Sequence, residues 1–210
     1  MRNRINYIEF ENQLIPFGIF RLSDVLKIYP HFDSRRLNEW QKKGYITKLI
    51  KGIYIFNSLR LDESVLFRIA NVLVRPSYVS LESALSFYHL IPEQAFSITS
   101  ITTLKTNSYQ TPKGNYHYRS VKNALFFGYK TAPSAPGKFV IAEPEKALLD
   151  LLYLRPDLNS KDALTSLRLN SMELAKLDGG KLASYLDLFN NHALNKRYQL
   201  FKEVYHAGYI

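Results

Sequence analysis

The chain has no cysteine among its 210 residues. This excludes disulfides, thiolate nucleophiles and cysteine-ligated zinc, and leaves the redox compartment open. Long apolar runs are also missing, since none approaches the roughly 20 residues needed to span a bilayer. The opening stretch MRNRINYIEFENQ has basic residues with no apolar block behind them, so it does not read as a secretory signal. These absences lead us to expect a cytoplasmic protein with no membrane partner. There is no HExxH motif, and His31, His89, His117, His192 and His206 are too scattered for a zinc site. The serines of KDALTSLRLNS lack a matching His/Asp arrangement, and no Gly-x-Ser-x-Gly elbow occurs. TPKGNY and LDGGK lack the strand–loop–helix context of a phosphate cradle and read as turns. We expect a non-enzymatic chain with no catalytic residue, no metal and no cofactor.

What the chain does have is positive charge. It carries 28 Lys and Arg against 18 Asp and Glu, a net charge of +10. Such a balance favours an acidic partner, nucleic acid or an acidic protein. The excess is unevenly placed: Met1–Asn57 holds 10 basic and 5 acidic residues, so about a quarter of the chain carries half of it. Within DSRRLNEWQKKGYITKLIKGIYIF, Asp33 to Phe56, six Lys or Arg are met by a single acidic residue after the opening Asp.

This first part reads as three short helices and a hairpin. RINYIEFENQL places Ile5, Ile8 and Asn12 on one helical face before Pro16 and Gly18 break it. In FRLSDVLKIYP, Ser23 is the expected N-cap, Val25, Leu26 and Tyr29 the apolar stripe, and Pro30 the stop. Asp33 is expected to cap a third helix ending at Gly44. At 100° per residue, Leu37, Trp40, Gln41 and Gly44 face inward. Arg35, Asn38, Glu39 and Lys42 point outward, with Arg36 and Lys43 on a flank. YITKLI and IYIF follow as strands joined through Lys51-Gly52.

Helix, helix, basic helix and two-stranded ribbon is the order of a winged helix-turn-helix. The outer face of such a third helix enters a major groove about 12 Å wide. Ser34 and Arg35 lie in its first turn. Arg35 is suited to guanine and Asn38 to adenine, while Arg36, Lys42, Lys43, Lys48 and Lys51 are suited to duplex DNA on its backbone or groove edge. The plain alternative is a small helical unit with a solvated basic face.

From Ser58 onward the composition changes, and we expect a second, larger domain over residues 58–210 beside a first over 1–57. SLRLDESVLFRIANVLVRPS gives a helix on Leu61, Val65, Leu66, Ile69 and Leu73. SYVSLESALSFYHLIPE gives a Ser80-capped helix from Leu81 to Leu90. FSITSITTL reads as a strand, SYQTPKGNYHYRSV as a hairpin, and ALFFGYK and GKFVIAE as further strands of a small mixed or antiparallel sheet. EPEKALLDLLYLRP is a helix with Pro144 in its first turn and Ala147, Leu148, Leu151, Leu152 and Leu154 on a wide apolar face. Further helices follow. The fold class is therefore α+β: a winged helix-turn-helix, then a larger mixed α/β domain with a small sheet and a helical C-terminal part.

RRLNEWQKKGYITKLIKGIYIF, YVSLESALSFYHLIPE, SITTLKTNSYQTPKGNYHYRSV, FFGYK and IAEPEKALLDLLYL, in this order, resemble the AbiEi-like antitoxins of type IV abortive-infection toxin–antitoxin systems. The resemblance covers about Leu22 to Asp150. It implies an N-terminal winged helix that binds double-stranded operator DNA and represses its own operon. It also implies a C-terminal domain opposing a nucleotidyltransferase-like toxin without a stable complex. The family includes regulators with no evident toxin, and a protein-interaction module is the rival reading.

Two further groups invite a functional reading. Glu143, Glu145 and Asp150 suggest paired carboxylates, but Asp150 lies off the face of Glu145 and pairs with Lys146 at i,i+4, so capping and ion-pair roles are expected. Tyr116, Tyr118, Phe126, Phe127 and Tyr129, with Lys122 and Lys130, could stack on RNA bases, the route to an RNA contact by the C-terminal domain. Alternating aromatics on strands otherwise read as core and cross-strand pairs.

Overall fold

The computed structural model of the chain describes residues 5–92 and 97–205. His206 lies outside the described residues, as do the MRNR start of the chain, Glu93 at the end of SYVSLESALSFYHLIPE and Phe96 at the start of FSITSITTL. Helix α1 spans Tyr7–Leu14, with the Asn6 side chain accepting the Glu9 N–H at 2.8 Å as its N-cap. It buries Phe10 and Leu14, four residues apart, and leaves Ile8 70% exposed. The expected Ile5–Ile8–Asn12 stripe is thus the wrong face, because aromatic packing at Phe10 decides the helix's rotation.

Strand β1, Ile19–Arg21, was not expected and leads directly into α2, Leu22–Ile28. Arg21 rather than Ser23 occupies the N-cap position, and the Asp24 carboxylate accepts the Arg21 N–H at 2.9 Å. Val25 is buried, but Leu26 is exposed. Helix α3 covers Arg35–Lys42 and buries Leu37 and Trp40, as its period requires. Its end is a Schellman turn. The Gly44 N–H reaches the Gln41 carbonyl at 3.0 Å and the Tyr45 N–H the Trp40 carbonyl at 2.9 Å. Gly44 sits at φ +73°, where a side chain would be strained.

Strands β2 (Ile46–Ile50) and β3 (Ile53–Phe56) form the expected hairpin, and β1 pairs with β3 to give an antiparallel sheet ordered β1-β3-β2. Alternation divides its residues between two cores. Phe20, Ile46, Tyr54 and Phe56 join Phe10, Leu37 and Trp40 under the helices. Ile19, Leu49, Ile53 and Ile55 join the core of the remaining chain.

That remainder begins with α4 (Glu63–Leu73), β4 (Ser77–Val79) and α5 (Leu81–Phe87). Strands β5 (Ile98–Thr102), β6 (Asn107–Thr111), β7 (Gly114–Ser120), β8 (Tyr129–Pro133) and β9 (Lys138–Ala142) follow. Helices α6 (Pro144–Leu154), α7 (Lys161–Thr165), α8 (Ser171–Leu174), α9 (Gly179–Phe189) and α10 (His192–Tyr205) complete it. The sheet is mixed, ordered β6-β7-β5-β4-β9-β8, with β5–β7 and β4–β9 parallel.

The chain is therefore a mixed α+β protein. Helix α6 begins at Pro144 and buries Ala147, Leu148, Leu151 and Leu152, as its spacing predicts. Three expectations are corrected. Leu61 lies before α4 and is exposed, because Asp62 caps the helix through the Val65 N–H at 2.9 Å. Helix α5 stops at Phe87, short of Leu90. ALFFGYK is not a continuous strand: Asn123–Leu125 forms a 3-10 turn before β8.

One side chain ties the segments together. The Arg68 guanidinium on α4 donates to the carbonyls of Phe17, just before β1, and Pro136, in the β8–β9 turn. A Cβ on Gly137 would lie 3.0 Å from Arg68 Cζ, and its φ of +94° is one that side chains rarely adopt, so a larger residue there is strained and crowds the guanidinium. Among the described residues no helix is long and apolar enough to cross a membrane.

Candidate nucleic-acid interface

Helix α3 presents its charged face to solvent. Arg35, Asn38, Glu39, Lys42 and Lys43 are exposed, while Leu37 and Trp40 hold the opposite side. Trp40 packs 4.4 Å from Phe10 and edge-on to Tyr7 at 5.5 Å (ring centroids), which fixes the helix's rotation. Arg36 is half-buried, its guanidinium 5.2 Å above the Trp40 ring, so part of its role is packing. Ser34 occupies the cap position without a capping bond. Asp33 does that work, accepting the Arg35 N–H at 3.1 Å.

The same Asp33 carboxylate grips the Arg35 side chain. Nε lies 3.0 Å from Oδ1, and Nη2 lies 2.8 Å from Oδ2. A guanidinium has five N–H donors, and this side-on grip uses the Nε edge. Nη1 and the outward N–H of Nη2 lie outside this grip, and they form the end-on edge that meets a guanine. In water such an exposed pair contributes little stability; its effect is orientation. Asn38 accepts the Gln41 amide at 3.3 Å, leaving its own amide donor unused by that contact.

The hairpin supplies the remaining predicted residues. Lys48 stands opposite Tyr54 in the register, and Tyr54 packs in the helical core, so Lys48 emerges on the helix side of the sheet. Lys51 is exposed in the turn before Gly52. The turn does not hang free: the Gly52 carbonyl accepts the Leu22 N–H at 3.1 Å, binding the hairpin tip to the start of α2. The eight predicted residues lie on α3, at its two caps (Ser34 and Lys43) or on the adjoining hairpin; seven are exposed and Arg36 is half-buried.

The other groups singled out in the sequence have structural partners. Asp150 accepts from Lys146, from the Tyr78 hydroxyl at 3.0 Å and from the Ser80 hydroxyl at 2.8 Å, all fully buried. Burial pushes Asp150 up and Lys146 down, and their mutual attraction opposes both shifts. Glu145 Oε1 accepts the Asp178 N–H at 2.9 Å. Glu143 takes the Tyr185 hydroxyl at 2.6 Å and Lys181 at 3.1 Å. Burial works to raise its pKa, but these bonds outweigh it and hold the carboxyl below the usual glutamate range.

Tyr116 and Tyr118 are buried, so neither ring is available to a base, while Phe126 and Phe127 are half-buried against the core. Ser108 and His117, exposed cross-strand partners 2.8 Å apart, were not paired in the sequence reading, because their contact follows from the β6–β7 register. Among the described residues no carboxylate bonds to His117, so no Ser-His-Asp relay is built. Nor do three His, Asp or Glu side chains gather as metal ligands there.

No family model matches the chain, and no curated protein matches it either.

Proposed function

We propose that residues 1–57 form a winged helix-turn-helix and that the protein is a double-stranded-DNA-binding transcriptional repressor. The observation that carries this is the element order helix, strand, helix, helix, strand, strand, closed into a β1-β3-β2 sheet with the basic face of α3 uncovered. In this reading α3 lies in a major groove. Arg35, braced by Asp33, meets guanine, and Asn38 meets adenine. Lys42, Lys43, Lys48 and Lys51 neutralise phosphates. The chain binds as a non-enzymatic protein.

Binding of duplex DNA from the chain's own upstream region tests it. Arg35→Ala is expected to cost about 1–3 kcal/mol and relax sequence choice. Lys51→Ala is expected to weaken all duplexes alike and flatten the log K against log salt slope by about 0.9. Equal, small losses from both changes in a mobility-shift assay would remove the division of labour. Absence of salt-dependent binding would remove the reading itself.

On the sequence resemblance described above, we extend the proposal to an antitoxin opposing a nucleotidyltransferase-like toxin. Co-expression with such a toxin encoded beside it is expected to restore growth. The fragment 58–210 should rescue alone, and 1–57 alone should not. Rescue by neither fragment nor the full chain would leave a stand-alone regulator.

A further inference from the structure

A cavity of about 570 Å³ opens where the C-terminal end of α4 meets β8 and β9, within the range of about 300–1,000 Å³ typical of small-ligand sites. Its walls are divided chemically. Val72, Phe126 and Tyr129 make an apolar side, and Arg68, Arg75 and Lys138 bring three cations with no carboxylate among the lining residues. Arg68 spends donors on two backbone carbonyls, which leaves its charge unneutralised. Burial lowers its pKa, and the nearby Arg75 lowers it further. Among the described residues, no ion pair forms to Arg75 or Lys138, and both side chains are exposed.

Clustered like charges cost free energy unless something anionic offsets them. The aromatic wall narrows what that anion carries. Tyr129 stacks on the buried Tyr78 with centroids 5.0 Å apart and planes at 22°, and it is still 42% exposed. Phe126 also meets this ring, at 5.1 Å and 57°, so Tyr129 is braced by two aromatics and the exposed part of its ring is what a flat guest would meet.

We propose that this cavity binds a mononucleotide, with its phosphates between Arg75 and Lys138 and its base against Tyr129 and Phe126. This rests on the cavity alone and does not depend on the DNA-binding reading. The site also adjoins the junction with the first 57 residues. Arg21 of β1 donates to the carbonyl of Val72, and Arg68 reaches Phe17.

Calorimetric titration of the full chain with ADP, adenosine and inorganic pyrophosphate tests the assignment. ADP is expected to bind one per chain, more tightly than adenosine or pyrophosphate. Arg75→Ala and Lys138→Ala should each weaken ADP about tenfold or more, with the melting temperature of the free protein unchanged. Tyr129→Leu should weaken ADP and adenosine but not pyrophosphate. No heat from ADP at millimolar concentration overturns the proposal, as does ADP affinity unchanged in Arg75→Ala. It is equally overturned if a single-stranded 12-mer binds more tightly than ADP through the same residues, since the cavity is then part of a strand-binding surface.

Discussion

Asp150→Ala is expected to cost about 3–5 kcal/mol of stability, lowering Tm by roughly 6–20 °C for a chain of this length. The reason is what remains. Lys146 is fully buried, with its ammonium 4.8 Å from the Phe127 ring centroid, 4.7 Å from that of Phe189 and 5.5 Å from that of Tyr78. Those rings attract a cation, but they supply no anion, and the Tyr78 and Ser80 hydroxyls would lose their acceptor too. Replacing both charges, Lys146→Met with Asp150→Leu, is expected to recover part of the loss, because an apolar pair carries no desolvation cost while the Tyr78 and Ser80 hydroxyls still lack their acceptor. Thermal melts of the single and double variants decide the matter. A wild-type melting curve for Asp150→Ala, or a double variant less stable than the single, would mean that the pair is not what holds α6 to β4.

This network also shows where a linear reading stops. The i,i+4 spacing of Lys146 and Asp150 is visible in the sequence, and so is the apolar face of α6. Their depth is not, because the hydroxyls that complete the carboxylate come from residues 72 and 70 positions away. Ser80 illustrates the same point. It occupies the N-cap position of α5, yet it makes no capping bond and gives its hydroxyl to Asp150. Strands β1 and β4 span three residues each, too few for a period of two to register. Where local chemistry suffices, the reading holds: Pro144 starts α6, Gly44 ends α3, and Lys51-Gly52 turns the hairpin. The candidate interface was legible because it lies within one local stretch. The cationic cavity was not, because its cations and aromatics come from α4 and the residues after it, from the segment leading into β8, and from β8 and β9, which are far apart in the chain.

The sheet β1-β3-β2 gives the two halves a common wall. Tyr54 and Phe56 turn toward α1 and α3, while Ile53 and Ile55 turn toward the larger core. An exposed third helix is thereby held by aromatics on one side of a sheet whose other side is buried in the body. The rotation of α3 is set relative to that body and not only to its own hairpin.

Trp40→Ala tests how far the two cores are separate. Removing a buried tryptophan costs about 3–5 kcal/mol, and among the described residues the loss falls on the eight other buried side chains of its cluster, against forty in the larger core. The smaller cluster cannot absorb it by relaxation, since Phe10, Phe32 and Tyr7 all pack on the missing ring. Hydrogen exchange is expected to show lost protection in α1 and α3 with α6 still protected, the pattern of local rather than global opening. On the DNA-binding reading proposed above, duplex affinity should fall for every sequence together, because Arg35, Asn38 and Lys42 lose their common orientation at once. Deprotection spread evenly into α6 would instead mean that the shared sheet welds both cores into one cooperative unit, and a boundary near residue 57 would have no thermodynamic meaning.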